Sequence, residues 1–167
     1  MTFEEQNERP ADFARLVETQ LPALLLFARQ WPHNSAEDIV QEAFIRLLNE
    51  KEWPENVTAW LFTVVRNQSN NYLRNEKRRK NREIDSAESK TRLFAQNEQN
   101  SNFNEETERL IEQLEQLPLE NREVIVAKIW GNLTFSQIAA MTGSSTSSVH
   151  RIYQAGLALL QKRLEKS

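Results

Sequence analysis

Residues 83–106 interrupt a chain that elsewhere repeats apolar side chains at helical spacing. The stretch is rich in Asn, Gln, Glu and Ser. Its large apolar residues are only Ile84, Leu93, Phe94 and Phe103, scattered without period. Such a segment buries too little apolar surface to offset the entropy of ordering it. The chain on each side is then expected to form a small domain of only moderate stability. This predicts an all-α protein of two small helical domains, 10–82 and 107–167, joined by a flexible linker over 83–106. Only 3 Gly and 5 Pro occur in 167 residues, and straight-chain residues that lose little freedom in a helix dominate.

In the first half, Phe13, Leu16, Val17, Leu21, Leu24, Leu25 and Ala28 predict a helix over about 11–30, bent or broken at Pro22. Ser35 followed by Asp38 reads as an acidic capping box opening a second helix. Ile39, Val40, Ala43, Phe44, Leu47 and Leu48 form its apolar stripe. Asp38, Gln41, Glu42 and Ile45 stand at i, i+3, i+4 and i+7, so they share the opposite face. An ordinary solvated face with one stray isoleucine has the same pattern. Asn56 is a good cap for a third helix, with Trp60, Leu61, Val64, Val65 and Tyr72 on its buried side.

On that helix Asn67, Asn70, Asn71 and Arg74 again share one face. Asparagine is a mediocre helix former, and three on one face stabilise nothing locally. Their amides suit base edges, and arginine suits phosphate. The helix then runs into Lys77, Arg78, Arg79, Lys80 and Arg82. Residues 66–82 carry a net charge of +6, whereas the whole chain carries -3. A local polyanion site is thus compatible with an acidic protein. A solvated basic helix end is the plainer alternative. Trp60 and Phe62 offer either core packing, favoured for Trp60, or stacking surfaces for unpaired bases.

In the second half, Leu110, Ile111, Leu114 and Leu117 lead to Pro118, and the pattern from Val124 to Trp130 leads to Gly131, a natural C-terminal cap. Thr134 and Gln137 form a capping box for a short helix ending before Gly143. Ser144 or Ser145 caps a last helix reaching about Glu165. Ala139, Gly143 and Val149 meet the needs of a helix-turn-helix: a small residue where the helices touch, glycine in the turn, and an apolar residue on the inner face. Ile138 and Ile152 add core contacts. The second helix would expose Thr146, Ser147, Ser148, His150, Arg151 and Gln154 to a major groove. A plain helical hairpin satisfies part of this pattern.

Several classes are excluded or unsupported. No cysteine is present, so disulfides, thiolate nucleophiles and Cys-based zinc sites are impossible. His33 and His150 are far apart, and no spacing suggests a metal site. No Ser/His/Asp arrangement, paired catalytic carboxylates or Gly-rich phosphate cradle occurs. No enzyme activity, cofactor or metal is expected. The acidic, polar N-terminus is unlike a signal peptide, and no apolar run approaches the ~18 residues of a membrane span. A cytoplasmic protein without membrane insertion is expected.

Two segments carry a resemblance. Ala36-Glu37-Asp38-Ile39-Val40-Gln41-Glu42-Ala43-Phe44 is similar to the most characteristic stretch of bacterial RNA polymerase sigma factors. Ala59 to Asn67, with the basic run to Arg82, and Leu117-Pro118-Leu119-Glu120-Asn121-Arg122-Glu123-Val124 through Leu164 resemble the adjoining and C-terminal parts of the same family. Their order and separation resemble the extracytoplasmic-function (ECF) class. The resemblance implies that Asp38, Gln41, Glu42 and Ile45 bind the clamp of the largest subunit of core RNA polymerase. It implies that Arg66, Asn67, Asn70, Asn71, Arg74, Lys77, Arg78 and Arg79 bind and melt the minus-ten element of promoter DNA. It implies that Thr146, Ser147, Ser148, His150, Arg151 and Gln154 read the minus-thirty-five element, and that an anti-sigma factor is a partner. One departure is that residues 150–157 hold one certain positive charge, where many relatives hold several. Affinity for DNA scales with phosphates neutralised, so weak binding to isolated DNA is expected. Gly156, inside the last helix, is expected to cost about 1 kcal/mol relative to Ala. Two other readings remain: a stand-alone helix-turn-helix regulator, and a degenerate sigma-like protein that sequesters a partner.

Overall fold

A computed structural model describes residues 5–84 and 105–165. Seven helices occur among them: α1 Glu5–Ala28, α2 Ala36–Asn49, α3 Val57–Ile84, α4 Glu105–Glu115, α5 Leu119–Ile129, α6 Phe135–Thr142 and α7 Thr146–Leu164. No described residue lies in a strand, so the all-α expectation holds. The segment 83–106 expected as a linker falls outside the described residues, apart from its ends, which close α3 and open α4.

Local chemistry sets most boundaries. Asn56 caps α3, its Oδ1 accepting from the Ala59 amide at 2.8 Å. Thr134 and Gln137 form the full reciprocal box at α6, with bonds of 3.1 Å and 2.8 Å. Gly143 follows α6 at φ 71°, a left-handed turn that glycine adopts without steric cost. Ser145, not Ser144, caps α7 through the Ser148 amide at 3.1 Å. Three expectations fail. Ser35 precedes α2 but makes no side-chain capping bond. The break at Pro22 does not occur: α1 continues through it, because the exposed ring leaves buried Ala23, Leu24, Leu26 and Phe27 free to pack beyond it. Gly131 does not adopt a left-handed conformation; Asn132 does, at φ 52°.

What requires glycine at 131 is space. A Cβ there would lie 2.6 Å from Phe62 Cζ and 2.7 Å from the Ala127 carbonyl oxygen. Gly156 has a similar reason: its Cβ would lie 2.8 Å from Ile125 Cδ1 and 3.1 Å from Asn121 Cβ. The glycine that looks costly for helix formation lets α5 and α7 approach closely.

The larger core joins both halves of the chain. Leu24, Phe27, Val40, Leu47, Leu61, Phe62 and Val65 belong to the same buried cluster as Val126, Ala127, Leu133, Ile138 and Val149. A smaller cluster of Leu114, Leu117, Ile125 and Leu160 holds α4, α5 and α7 together. Phe62 is fully buried, its ring 4.8 Å from that of Phe27, so it has no face for stacking a base. Trp60 is partly buried and packs against the core. Leu48 and Tyr72, expected inside, are 52% and 36% exposed. Each sits at the edge of its stripe, where helix packing and not periodicity decides burial.

Candidate nucleic-acid interface

The helix α2 turns Ile39, Val40, Ala43, Phe44 and Leu47 inward. Asp38, Gln41, Glu42 and Ile45 are left exposed on its outer side, with Ile45 44% exposed. Glu42 pairs with Arg46 at 3.2 Å, one turn on. An exposed apolar side chain ringed by carboxylates and an amide is suited to a protein partner more than to a polyanion.

An open groove of about 560 Å³ runs between α2 and α3, lined by Ser35, Asp38, Ile39, Glu42, Arg46, Gln68, Asn71, Tyr72 and Asn75. It brings the α2 carboxylates and the asparagine-bearing part of α3 to one surface. Asn67, Asn71 and Arg74 are exposed, and Asn70 is half-buried. Farther along, Lys77, Arg78, Arg79 and Arg82 are exposed. Glu76 lies 3.5 Å from Arg79 and 3.9 Å from Lys80. Exposed pairs of this kind contribute little energy, so they leave the end of α3 strongly cationic.

Two predicted residues of α3 are already engaged by partners within the fold. Arg66 is turned toward the C-terminal half, where Nε and Nη2 donate to the Glu123 carboxylate at 2.9 Å and 3.3 Å. Asn70 is engaged from beneath: Trp31 Nε1 donates to its Oδ1 at 2.9 Å. Neither Trp31 nor Glu123 was legible as functional from the sequence. The available signal was that buried tryptophan N–H groups and buried carboxylates need partners.

The loop between α1 and α2 closes one end of the groove. The His33 ring lies 5.2 Å from that of Tyr72, and its Nδ1 accepts from the Ser35 amide at 3.3 Å. Burial holds its pKa below the usual histidine value, favouring the neutral ring. Nearby, the Arg29 guanidinium donates to Glu37 at 2.6 Å and holds that carboxyl below its usual range.

In the C-terminal half, α6 and α7 form the expected helix-turn-helix. Ile138, Ala139 and Val149 are buried at the contact and Ile152 packs against them. Thr146, Ser147, His150, Arg151 and Gln154 are exposed. Ser148 is half-buried, and its hydroxyl and amide are tied to Ser145 Oγ. His150 rests against the Phe135 ring, with ring centroids 5.1 Å apart, so its position is set by α6. Lys128 Nζ also lies over the Phe135 ring, 4.8 Å from its centroid. Among the described residues, no group of His, Asp and Glu could hold a metal ion, and no helix is long and apolar enough to cross a membrane.

Comparison with known proteins places this architecture. The family model for sigma-70 region 2 matches residues 16–79, and that for sigma-70 region 4 matches residues 107–160. The ECF RNA polymerase sigma factor EcfG of Rhodopseudomonas palustris is 26% identical over 77% of this chain and 72% of its own length. The RNA polymerase sigma factor SigV of Bacillus subtilis is 27% identical over 85% of this chain and 83% of its own. Among solved structures, the sigma factor RpoE in complex with the anti-sigma factor NepR from Bartonella quintana has a TM-score of 0.68 at 23% identity, covering 92% of this chain and 97% of that one. CnrH in complex with the cytosolic domain of CnrY has a TM-score of 0.58. The two matched regions, in this order and on this all-helical fold, make the chain a member of the RNA polymerase sigma factor family, of the ECF type.

Proposed function

We propose that this sigma factor brings core RNA polymerase to promoters in three physical steps, using two functional units at 10–82 and 107–167 with 83–106 between them. Asp38, Gln41, Glu42 and Ile45 dock on the clamp of the largest subunit. Thr146, Ser147, Ser148, His150, Arg151 and Gln154 contact the upstream duplex. Asn67, Asn70, Asn71 and Arg74 then capture the separating non-template strand while Lys77, Arg78 and Arg79 hold phosphates. Arg66 joins them once it leaves Glu123. Unstacking a base costs a few kcal/mol, and amide hydrogen bonds offset that cost without ATP.

The observation that carries this reading is the groove between α2 and α3. It places an acidic, partly apolar face beside an amide-rich face that ends in exposed cations. Protein docking and strand capture would thus occur on adjacent sides of one rigid helix pair. The similar sigma factor RpoE was solved in complex with the anti-sigma factor NepR, which supports an anti-sigma partner here. A cytoplasmic location without enzymatic activity or cofactor follows from the same reading.

Run-off transcription with bacterial core polymerase tests it, with and without this protein, on genomic promoter fragments of the host. New start sites that require the protein are expected. A folded protein that neither binds core polymerase nor creates start sites would favour a sequestering protein or a stand-alone regulator.

A further inference from the structure

Trp31 is 2% exposed and lies in the loop between α1 and α2. Its ring stacks edge-on against Phe27, with centroids 5.1 Å apart. Its backbone is pinned by bonds to Ala28 and His33. The indole is therefore held in one pose, and its single polar atom points at α3. There Nε1 donates to Asn70 Oδ1 at 2.9 Å, across 39 residues of sequence.

This contact fixes more than position. An indole N–H is a donor only, so the amide must present its oxygen to Trp31. The amide NH₂ of Asn70 is left on the other side and donates to none of the described residues. A free asparagine reads either a donor or an acceptor by turning its amide over. Asn70 cannot turn over without leaving a buried indole N–H unpaired, which is costly.

We infer that Trp31 is a specificity-positioning residue. By occupying the Asn70 oxygen, it makes Asn70 a donor-only reader that selects a keto base, thymine or guanine, over an amino base in the captured strand. Thymine O4 and guanine O6 accept a hydrogen bond; the amino groups of cytosine and adenine at the corresponding position donate one. A donor facing a donor forfeits the bond and leaves both groups unpaired. One hydrogen bond supports a preference of roughly three- to tenfold. The inference rests on the reading of α3 as the strand-capturing helix.

The test uses holoenzyme assembled from the full chain and core polymerase, on a promoter found active in run-off assays. Each minus-ten position is changed in turn to all four bases, and open-complex formation is measured. For the unaltered chain, one position should favour T and G over A and C by roughly three- to tenfold. Trp31→Phe keeps the ring stack but frees the amide, and should flatten that preference while core binding persists. Asn70→Asp keeps an acceptor for Trp31 but presents an oxygen outward, and should invert the preference toward C and A. A keto preference that survives both substitutions overturns the role of Trp31. So does a failure of Asn70→Asp to invert it when Trp31→Phe does not fold. If Asn70→Ala leaves opening unchanged on every template, the strand-capture reading itself fails at this residue, which is a separate result.

Discussion

Arg66 of α3 and Glu123 of α5 form a two-pronged ion pair, at 2.9 Å and 3.3 Å, that ties the two halves of this sigma factor together. The side chains are 21% and 9% exposed, so the pair is largely out of water. Around it, α3 meets α6 and α1 meets α5, within a core to which both halves contribute. Removing one partner of such a pair strands the other charge. Glu123→Gln should therefore destabilise the full chain by about 1–3 kcal/mol. Arg66→Ala with Glu123→Ala together should cost less than the sum of the single changes. Thermal or denaturant unfolding of these variants beside the unaltered chain measures this; strict additivity of the two alanine changes would show that the pair contributes nothing.

Gly131 is held by crowding. Its missing Cβ would meet a backbone carbonyl and the buried Phe62 ring, both under 3.0 Å. Gly131→Ala should cost roughly 1–3 kcal/mol. An unchanged melting temperature would contradict the close approach of α3 and the loop after α5.

Two serine and threonine residues that look alike in sequence should behave differently. Thr134 makes both bonds of a capping box, so Thr134→Ala should lose about 1 kcal/mol. Ser35 makes no side-chain cap, so Ser35→Ala should change stability by less than about 0.5 kcal/mol. Equal losses in unfolding experiments would mean that Ser35 caps α2 in solution.

His33 gives stability a pH dependence of known sign. Burial lowers its pKa in the folded protein from 6.5, so the unfolded chain binds the proton more readily. Stability is then fully present above that unfolded value and falls as pH drops from it toward the lower folded value. His33→Gln should flatten this part of the melting-temperature profile. An unaltered slope between pH 7 and 5 would assign the effect to other groups.

Docking and strand capture should separate by mutation. Asp38→Lys reverses an exposed charge on the α2 face and should weaken core polymerase binding at least severalfold. Replacing Asn70 and Asn71 by Ala should spare assembly and slow open-complex formation. Unchanged core affinity in the first case, or normal opening in the second, removes those residues from the mechanism.

Helix content, the caps at Asn56 and Thr134, the turn at Gly143 and most of the exposed faces of α2, α3 and α7 were legible from spacing and local chemistry, while the choice of Ser145 over Ser144 as the cap of α7 was not. They depend on residues within a few positions of one another, where helical geometry fixes who is neighbour to whom. Tertiary packing alone decided the rest. It set Phe62 against Phe27 and opposite Gly131, made Gly156 a packing site, turned Arg66 toward Glu123, and gave Asn70 an indole partner. Each of these joins residues on different helices, and periodicity reports which stripe of a helix is apolar but not which other stripe it meets. The sequence by itself therefore determined that this chain builds amphipathic helices with acidic, amide-rich and cationic outer faces. The fold decided which of their side chains are free to face outward and in what polarity.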